Sequence, residues 1–181
     1  MHISFAQQYA YYKEHHFCEP HAQEFLSRPP KSSASGTVTR KDGEVKIEIE
    51  KLIISEVHDQ QVVVFREDGG VRGFPFVCGI FEATSIDRRL KGLTSPRPLT
   101  HDAIAATIAA MGGTLQDVVI NELKDHTYFA KLRISPTKDP ISADRIVEVD
   151  VRPSDAVCLA VTCGVPIFIP EKLLIEICDQ H

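Results

Sequence analysis

Apolar and charged side chains alternate along residues 44–50, which read Glu-Val-Lys-Ile-Glu-Ile-Glu. A period of two is typical of a β-strand with one face in the core and the other in solvent. A short apolar run at residues 61–65 predicts a second strand, and residues 73–77 predict a third. The Asp-Gly-Gly turn at residues 68–70 connects them, because glycine adopts positive φ at little cost. The three strands predict a meander.

Helical spacing replaces this alternation after the third strand. It predicts one helix over residues 80–90, closed by Gly92, and a second helix over residues 101–111. Thr100 is the expected N-cap of the second helix, because its hydroxyl can accept a hydrogen bond from an unpaired backbone N–H. Asp102 stands in the first turn of that helix, where the helix dipole favours negative charge.

The same order of elements then repeats. Strands are predicted at residues 117–123, 127–134 and 145–151, and helices at residues 153–163 and 170–178. Three strands and two helices thus occur twice, which indicates an internal duplication. The sequence therefore predicts an α+β fold in which a duplicated three-strand, two-helix unit forms one compact domain with an N-terminal extension. Equivalent acidic residues of the two halves could then meet across a pseudo-twofold axis.

Composition divides the chain into two parts. Residues 27–43 are mainly polar residues, proline and glycine and cannot form a core, which is typical of a linker. We therefore assign residues 1–43 to an N-terminal extension and linker, and residues 44–181 to the compact domain. Within the extension, Cys18 and His21 have the spacing of half a zinc site. The alternative is an amphipathic helix carrying the aromatic residues Tyr9, Tyr12, Phe17 and Phe25.

Composition and charge also predict where the protein is located and what binding of nucleic acid would require. No apolar run approaches the length of about 18 residues that crosses a bilayer, and the first residues lack the order of a signal peptide. The five cysteines are widely spaced, as expected of reduced thiols in a cytoplasmic protein. With 20 basic and 25 acidic side chains, the net charge is −5. Binding of nucleic acid would therefore require a local basic patch or a bound cation.

The densest polar cluster lies at residues 96–102, Pro-Arg-Pro-Leu-Thr-His-Asp. Arg97 could clamp a phosphate, His101 could act as a general base and Asp102 could bind a metal ion. The same residues also suit a structural role, in which the prolines fix a loop, Thr100 caps a helix and Asp102 interacts with its dipole. The cluster by itself leaves both interpretations open.

A second polar cluster, Asp-Val-Arg-Pro-Ser-Asp at residues 150–155, connects a predicted strand to a predicted helix. Backbone N–H groups and side chains often converge on a ligand at such a place. In the structural alternative, Asp150 or Ser154 caps the helix and Arg152 pairs with Asp155. Both clusters share an Arg-Pro pair followed by an acidic residue at a helix N-terminus.

Five segments together resemble the landmarks of the bifunctional nuclease family, in the same order and at similar spacing. They are residues 82–83 (Glu-Ala), 96–102, 125–130 (Asp-His-Thr-Tyr-Phe-Ala), 150–156 and 164–168 (Gly-Val-Pro-Ile-Phe). The resemblance covers roughly residues 46–174. One departure is Pro-Phe-Val-Cys-Gly at residues 75–79, where the family often has Pro-Ile-Trp-Ile-Gly. Phe76 can fill the volume of the tryptophan, so the fold is not affected.

The resemblance implies a compact α+β fold with a duplicated unit, assembly into homo-oligomers, and degradation of both DNA and RNA. For hydrolysis of phosphodiester bonds, carboxylate-bound Mg²⁺ or Mn²⁺ is the usual cofactor. Because they fall at strand ends and helix starts of the two halves, the expected metal ligands are Glu82, Asp102, Asp150 and Asp155. His101 is the expected base or proton shuttle. The expected substrate-binding residues are Arg97, Arg152 and Ser154. The expected catalytic residues are His101, Asp102, Arg97, Arg152 and Asp155.

A different class of function remains open, namely a non-catalytic oligomeric binding or regulatory module. The acidic net charge favours it, because the chain has no basic stripe for nucleic acid. Two smaller predictions concern residues 125–126 and 128–129. Asp125 and His126 are expected to form a turn, and the alternative is a contact with substrate from the exposed hairpin tip. Tyr128 and Phe129 are both expected to lie in the core, and the alternative is that one of them stacks on a base.

Overall fold

The computed structural model describes residues 43–55, 60–136 and 146–179. Residues 1–42 of the N-terminal extension lie outside the described residues, and with them Cys18 and His21 of the zinc half-site. Helices and strands are mixed in the described part of the chain, which confirms the predicted α+β class. No helix in this part is long and apolar enough to cross a membrane.

The described residues form one sheet of seven strands. The strands are β1 (Glu44–Ile53), β2 (Gln60–Glu67), β3 (Gly73–Gly79), β4 (Gly113–Lys124), β5 (Thr127–Pro136), β6 (Val147–Val151) and β7 (Ile167–Pro170). Their order in the sheet is β3-β2-β1-β7-β4-β5-β6. β1 to β3 form one antiparallel meander and β4 to β6 form another, in agreement with the repeated strand pattern.

Strand β7 lies between the two meanders, antiparallel to β1 and parallel to β4. β1 and β4 therefore run in opposite directions, as two halves related by a twofold axis require. The sequence did not predict β7, and residue 170 was expected to begin a helix. A four-residue apolar run that ends at a proline is too short to show a period, so only its tertiary pairing reveals it as a strand.

Four helices accompany the sheet in the described part of the chain, and two of them have the predicted bounds. The helices are α1 (Ile80–Leu90), α2 (Thr100–Ala110), α3 (Pro153–Cys163) and α4 (Glu171–Asp179). α1 follows β3, and α3 follows β6 at the equivalent place in the second half. Pro153 stands at the first position of α3, where a missing N–H costs nothing, and Gly164 closes the helix with a φ of 69°.

The predicted N-cap of α2 was wrong. Thr100 is the first helical residue, and Leu99 occupies the cap position with extended backbone angles. The backbone N–H of Leu99 donates to Oδ2 of Asp102 at 3.0 Å. A carboxylate at the third helical position can reach back to the cap in this way, so a polar cap residue is not needed.

An aromatic group shows that the sheet curls around its core. Tyr128 of β5 stacks on Phe74 of β3 with ring centroids 6.1 Å apart, although four strands separate β3 from β5 in the sheet. Phe76 lies against the same tyrosine, with centroids 5.8 Å apart. The prediction that Phe129 is also in the core was wrong, because it is 36% exposed. Successive side chains of a strand point to opposite faces, so only one of the pair can join the aromatic group.

The tight turn between β4 and β5 is confirmed at the predicted residues. Asp125 and His126 have φ values of 48° and 60°, and they connect the paired residues Lys124 and Thr127. Positive φ at both central residues is typical of the type I′ turn, whose twist matches that of a two-residue hairpin.

A buried ionic network joins the two halves. The guanidinium of Arg133 on β5 donates two hydrogen bonds of 2.8 Å to the carboxylate of Glu44 on β1, and another to Asp117 on β4. The same guanidinium lies over the ring of Phe168 on β7, 5.5 Å from its centroid. Burial lowers the pKa of Arg133, but the hydrogen bonds that it donates to Glu44 and Asp117 outweigh this, so the pKa is raised. One charged side chain of β5 thus contacts three other strands, β1, β4 and β7.

Truncation of a β7 side chain should destabilise the protein strongly. Ile169 is fully buried, so Ile169→Ala should lower the free energy of unfolding by about 2–5 kcal/mol, through lost burial and the cavity left behind. Ile175→Ala on α4 is the matched control, because Ile175 is 44% exposed and its truncation should change stability by less than about 0.5 kcal/mol. Urea unfolding measures both. Equal losses in the two variants would contradict a core position for β7.

Candidate functional site

The first turns of α1, α2 and α3 come together on one side of the sheet, where α3 packs against the other two helices. Each helix has an acidic side chain at its third position, namely Glu82, Asp102 and Asp155. The N-terminus of a helix carries partial positive charge and unpaired N–H groups, so these carboxylates are favourably placed. Glu82 and Asp155 occupy equivalent positions in the two halves of the chain.

A continuous chain of polar side chains connects the three helices. Nη2 of Arg152 lies 3.1 Å from Oε1 of Glu82, and Nε of Arg152 donates to Oδ2 of Asp155 at 2.8 Å. Oδ1 of Asp155 lies 3.2 Å from Nε2 of His101, and Nδ1 of His101 lies 3.3 Å from the hydroxyl of Ser85. We call these five residues the polar chain. The predicted meeting of equivalent acidic residues thus occurs, with an arginine between them.

The guanidinium of Arg152 lies between two carboxylates and faces solvent, with 70% of its side chain exposed. Hydrogen bonding to Asp155 is the main reason that the pKa of Arg152 is raised, and Glu82 adds to it. Partial burial raises the pKa of Asp155, but the hydrogen bonds from Arg152 and His101 outweigh burial and leave the pKa below its ordinary value. Asp155 is therefore held in its charged form.

The hydrogen bonds of His101 define which nitrogen can act as a base. A carboxylate only accepts hydrogen bonds, so Nε2 carries the proton that is donated to Asp155. Neutral His101 then has its lone pair on Nδ1, which faces the hydroxyl of Ser85. Only 12% of the imidazole side chain is exposed, so few water molecules compete for these contacts.

A small cleft opens beside Ser85, between α1 and the start of α2. Its lining residues are Ser85, Arg88, Arg89, Leu93, Ser95, Leu99 and Asp102. The guanidinium of Arg89 pairs with the carboxylate of Asp102 at the edge of the cleft. Two arginines and two serine hydroxyls give the cleft the chemistry of an anion site.

The structure brings some of the predicted site residues together and keeps others apart. His101, Arg152, Asp155 and Glu82 belong to the polar chain. Asp102 lies in the neighbouring cleft, and Arg97 is exposed in the loop before α2. Asp150 is exposed on β6, opposite Lys131 of β5.

Two expected roles stay predictions, the substrate contact of Ser154 and the shared metal site. Ser154 is only 8% exposed. Among the described residues, no three His, Cys, Asp or Glu side chains lie close enough together to hold a metal ion. Arginine side chains engage three of these carboxylates: Arg89 pairs with Asp102, and Arg152 bonds both Glu82 and Asp155.

Sequence reasoning missed Ser85, Arg88 and Arg89. Residues three and four positions apart share one face of a helix, so the spacing of these three predicts one polar patch on α1 once the helix is assigned. No motif distinguishes this patch from an ordinary solvated helix face. Only the position of His101 beside Ser85 gives it chemical significance.

Comparison with known proteins relates this region to one family. The family model of the bifunctional nuclease domain matches residues 63–179, which contain the whole polar chain. An uncharacterized protein of Mycobacterium tuberculosis is 37% identical over 123 residues, which make up 68% of this chain and 70% of that protein. Bifunctional nuclease 2 of Oryza sativa is 28% identical over 66% of this chain and 36% of that protein. Bifunctional nuclease 1 of Arabidopsis thaliana is 26% identical over 62% of this chain and 34% of that protein.

The lowered pKa of Asp155 predicts how the stability contributed by the polar chain depends on pH. A carboxylate with a lowered folded-state pKa stabilises the fold above its ordinary value of 3.8, and that contribution is lost as the pH falls through the lowered value. Wild type should therefore be more stable than Asp155→Asn by a constant amount above about pH 5, and the difference should shrink below it. Urea unfolding at a series of pH values measures this. A difference that stays constant throughout acidic pH would contradict the ion pair.

Proposed function

The chain belongs to the bifunctional nuclease domain family, and from that membership we propose that it hydrolyses phosphodiester bonds in DNA and RNA. One observation carries the proposal beyond the family. His101 is held between Asp155 and Ser85 where three helix N-termini meet, beside the exposed guanidinium of Arg152. This arrangement combines a group that can accept a proton with groups that attract a phosphate.

Proton transfer is the role that we assign to His101. Attack on phosphorus requires a nucleophile that loses its proton as the new bond forms, and a positioned histidine accelerates such a step by about 10²–10⁴-fold. Asp155 fixes the ring orientation and the tautomer, and its negative charge stabilises the imidazolium that forms. Nδ1 is the nitrogen that accepts the proton, because Nε2 is engaged by Asp155.

Phosphate binding is the role that we assign to the arginines. Arg152 is mostly exposed, although its Nε and Nη2 bond Asp155 and Glu82. Its solvent-facing N–H groups can therefore donate to a phosphate oxygen while these ion pairs stay intact. Arg97, in the exposed loop before α2, can approach the same strand of nucleic acid. The N-terminal turns of the three helices add partial positive charge. With a net charge of −5 on the chain, Arg152 and Arg97 are the positive charges that we assign to phosphate binding.

The divalent metal expected from the sequence has no matching ligand set among the described residues. A Mg²⁺ or Mn²⁺ ion needs several converging oxygen ligands, whereas Glu82, Asp102 and Asp155 are each paired with an arginine and Asp150 lies on a separate strand. We therefore assign no chemical step to a metal ion. Metal assistance stays a prediction from the resemblance, to be tested with a chelator.

A second candidate function, a non-catalytic oligomeric binding module, is favoured by the surface of α2. This helix consists mainly of alanine and isoleucine, yet it contains no buried residue. Ile104 is 37% exposed and Met111, at its C-terminal end, is 79% exposed. An exposed apolar helix is typical of a surface that contacts another chain, and here that would be a second copy in a homo-oligomer.

Removal of the imidazole of His101 tests the proposed activity. His101→Ala should reduce cleavage of single-stranded DNA and RNA by at least about 10²-fold, because the proton acceptor is lost. His126→Ala is the matched control, since His126 is an exposed histidine at the β4–β5 turn, and it should cleave at the wild-type rate. Release of acid-soluble nucleotides by identically purified proteins measures the rates, with and without EDTA.

The arms of this experiment separate the competing interpretations. Equal cleavage by wild type and His101→Ala would indicate a contaminating nuclease and contradict the proposal. No cleavage by wild type, together with a stable oligomer in light scattering, would favour the binding module. Activity that persists in EDTA would agree with the arginine pairing of three of the expected ligands. Loss of activity that Mg²⁺ or Mn²⁺ restores would show instead that a metal ion is required.

A further inference from the structure

We propose that Ser85 is the nucleophile of this site, activated by His101 and Asp155, and that strand cleavage passes through a covalent phosphoseryl intermediate. The inference rests on the proposed function, since it specifies how the phosphodiester bond is broken. It adds a catalytic residue and an intermediate that neither family membership nor the sequence motifs supply.

The geometry around His101 carries the inference. Because Nε2 donates to Asp155 at 3.2 Å, the lone pair of neutral His101 lies on Nδ1, and the hydroxyl of Ser85 is 3.3 Å from that nitrogen. A serine, a histidine and an acidic residue in this order form the arrangement that activates a serine in unrelated hydrolases. In those hydrolases Nε2 faces the serine and Nδ1 faces the acid, whereas here Nδ1 faces Ser85 and Nε2 faces Asp155. The proton still passes from the serine to the histidine.

The surroundings of Ser85 favour a reactive role over a structural one. Ser85 is half-buried and lines the small cleft, and its hydroxyl lies between the imidazole of His101 and the buried thiol of Cys158, with which it can also hydrogen-bond. The neighbouring hydroxyl, that of Thr84, is exposed and donates to the carbonyl of Ile80 in its own helix at 2.7 Å. Thr84 thus shows the ordinary behaviour of a hydroxyl on α1, from which Ser85 departs.

The cleft also contains groups that can hold the phosphate under attack. Arg88 and Arg89 lie three and four residues after Ser85, so both guanidinium groups are on the same side of α1 as its hydroxyl. Asp102 pairs with Arg89 and holds it at the edge of the cleft. A phosphate in this position would contact Arg88 and would share Arg89 with Asp102, while its phosphorus faces the serine oxygen.

The first step transfers the nucleotide chain to the protein. The oxygen of Ser85 attacks phosphorus, its proton passes to Nδ1 of His101, and the bond from phosphorus to the leaving nucleoside oxygen breaks. The leaving oxygen is opposite the attacking one in an in-line displacement, so it takes a proton from a water molecule on the far side, which leaves hydroxide.

The second step releases the chain. Hydroxide attacks phosphorus of the phosphoseryl intermediate, the bond to the Ser85 oxygen breaks, and that oxygen takes back the proton from Nδ1 of His101. The sum of both steps consumes one water molecule and one phosphodiester bond and restores the free enzyme.

The stereochemistry at phosphorus tests the inference directly. Each in-line displacement inverts the configuration, so cleavage of a short oligonucleotide with one Rp phosphorothioate linkage in ¹⁸O-labelled water should proceed with net retention. Ser85→Ala should cleave at least about 10²-fold more slowly than wild type. Thr84→Ala, the matched control, removes the adjacent hydroxyl and should cleave at the wild-type rate. Thermal unfolding checks that both variants are folded.

Each outcome has one meaning. Retention by the wild type supports a phosphoseryl intermediate even if Ser85→Ala does not fold. Inversion by the wild type, or cleavage by Ser85→Ala at the wild-type rate, overturns the role of Ser85 and leaves the proposed nuclease function standing. No cleavage by the wild type overturns the proposed function, and the role of Ser85 with it.

Discussion

The backbone pairing of β7 with β1 on one side and β4 on the other is the interaction on which the rest of the structure depends. Without it, the described strands would form two separate meanders of three strands each. With it, the two meanders belong to one sheet in which β1 and β4 run in opposite directions. The helices that follow β3 and β6 then begin side by side. The Arg133 network contacts the same junction from β5 and strengthens it.

The electrostatics of the candidate site follow from this junction. Bringing α1 and α3 together places Glu82 and Asp155 near one another, which would be unfavourable without a cation between them. Arg152 supplies that charge and stays largely exposed, while Oδ1 of Asp155, which also accepts from Arg152, orients His101. The same contacts that stabilise the meeting of the two halves thus position the proposed proton acceptor and the proposed phosphate-binding group. Structure and proposed chemistry depend on one set of hydrogen bonds.

Local periodicity correctly predicted the longer strands and helices, whose hydrophobic pattern repeats. It failed for the elements whose structure is determined by tertiary contacts. The alternation in β1 and the helical spacing of α1 and α3 were sufficient, whereas β7 is too short to show a pattern and the N-cap of α2 depends on a carboxylate that reaches back to Leu99. His101, Arg152 and Asp155 could be chosen because polar residues at helix starts are recognisable. Ser85 could not, since a serine in the middle of a helix is ordinary. The arginine partners of three expected metal ligands could not be predicted, because one sequence does not reveal which carboxylates the arginines engage.

The tautomer of His101 is the most direct measure of the central claim, that Asp155 and Ser85 hold this ring so that Nδ1 is the base. Long-range proton–nitrogen correlation spectra of ¹⁵N-labelled protein distinguish the two ring nitrogens, and the signals missing from His101→Ala identify the residue. At a pH where the ring is neutral, a protonated Nε2 and an unprotonated Nδ1 are predicted. A neutral ring with its proton on Nδ1, or an even mixture of both forms, would contradict the account.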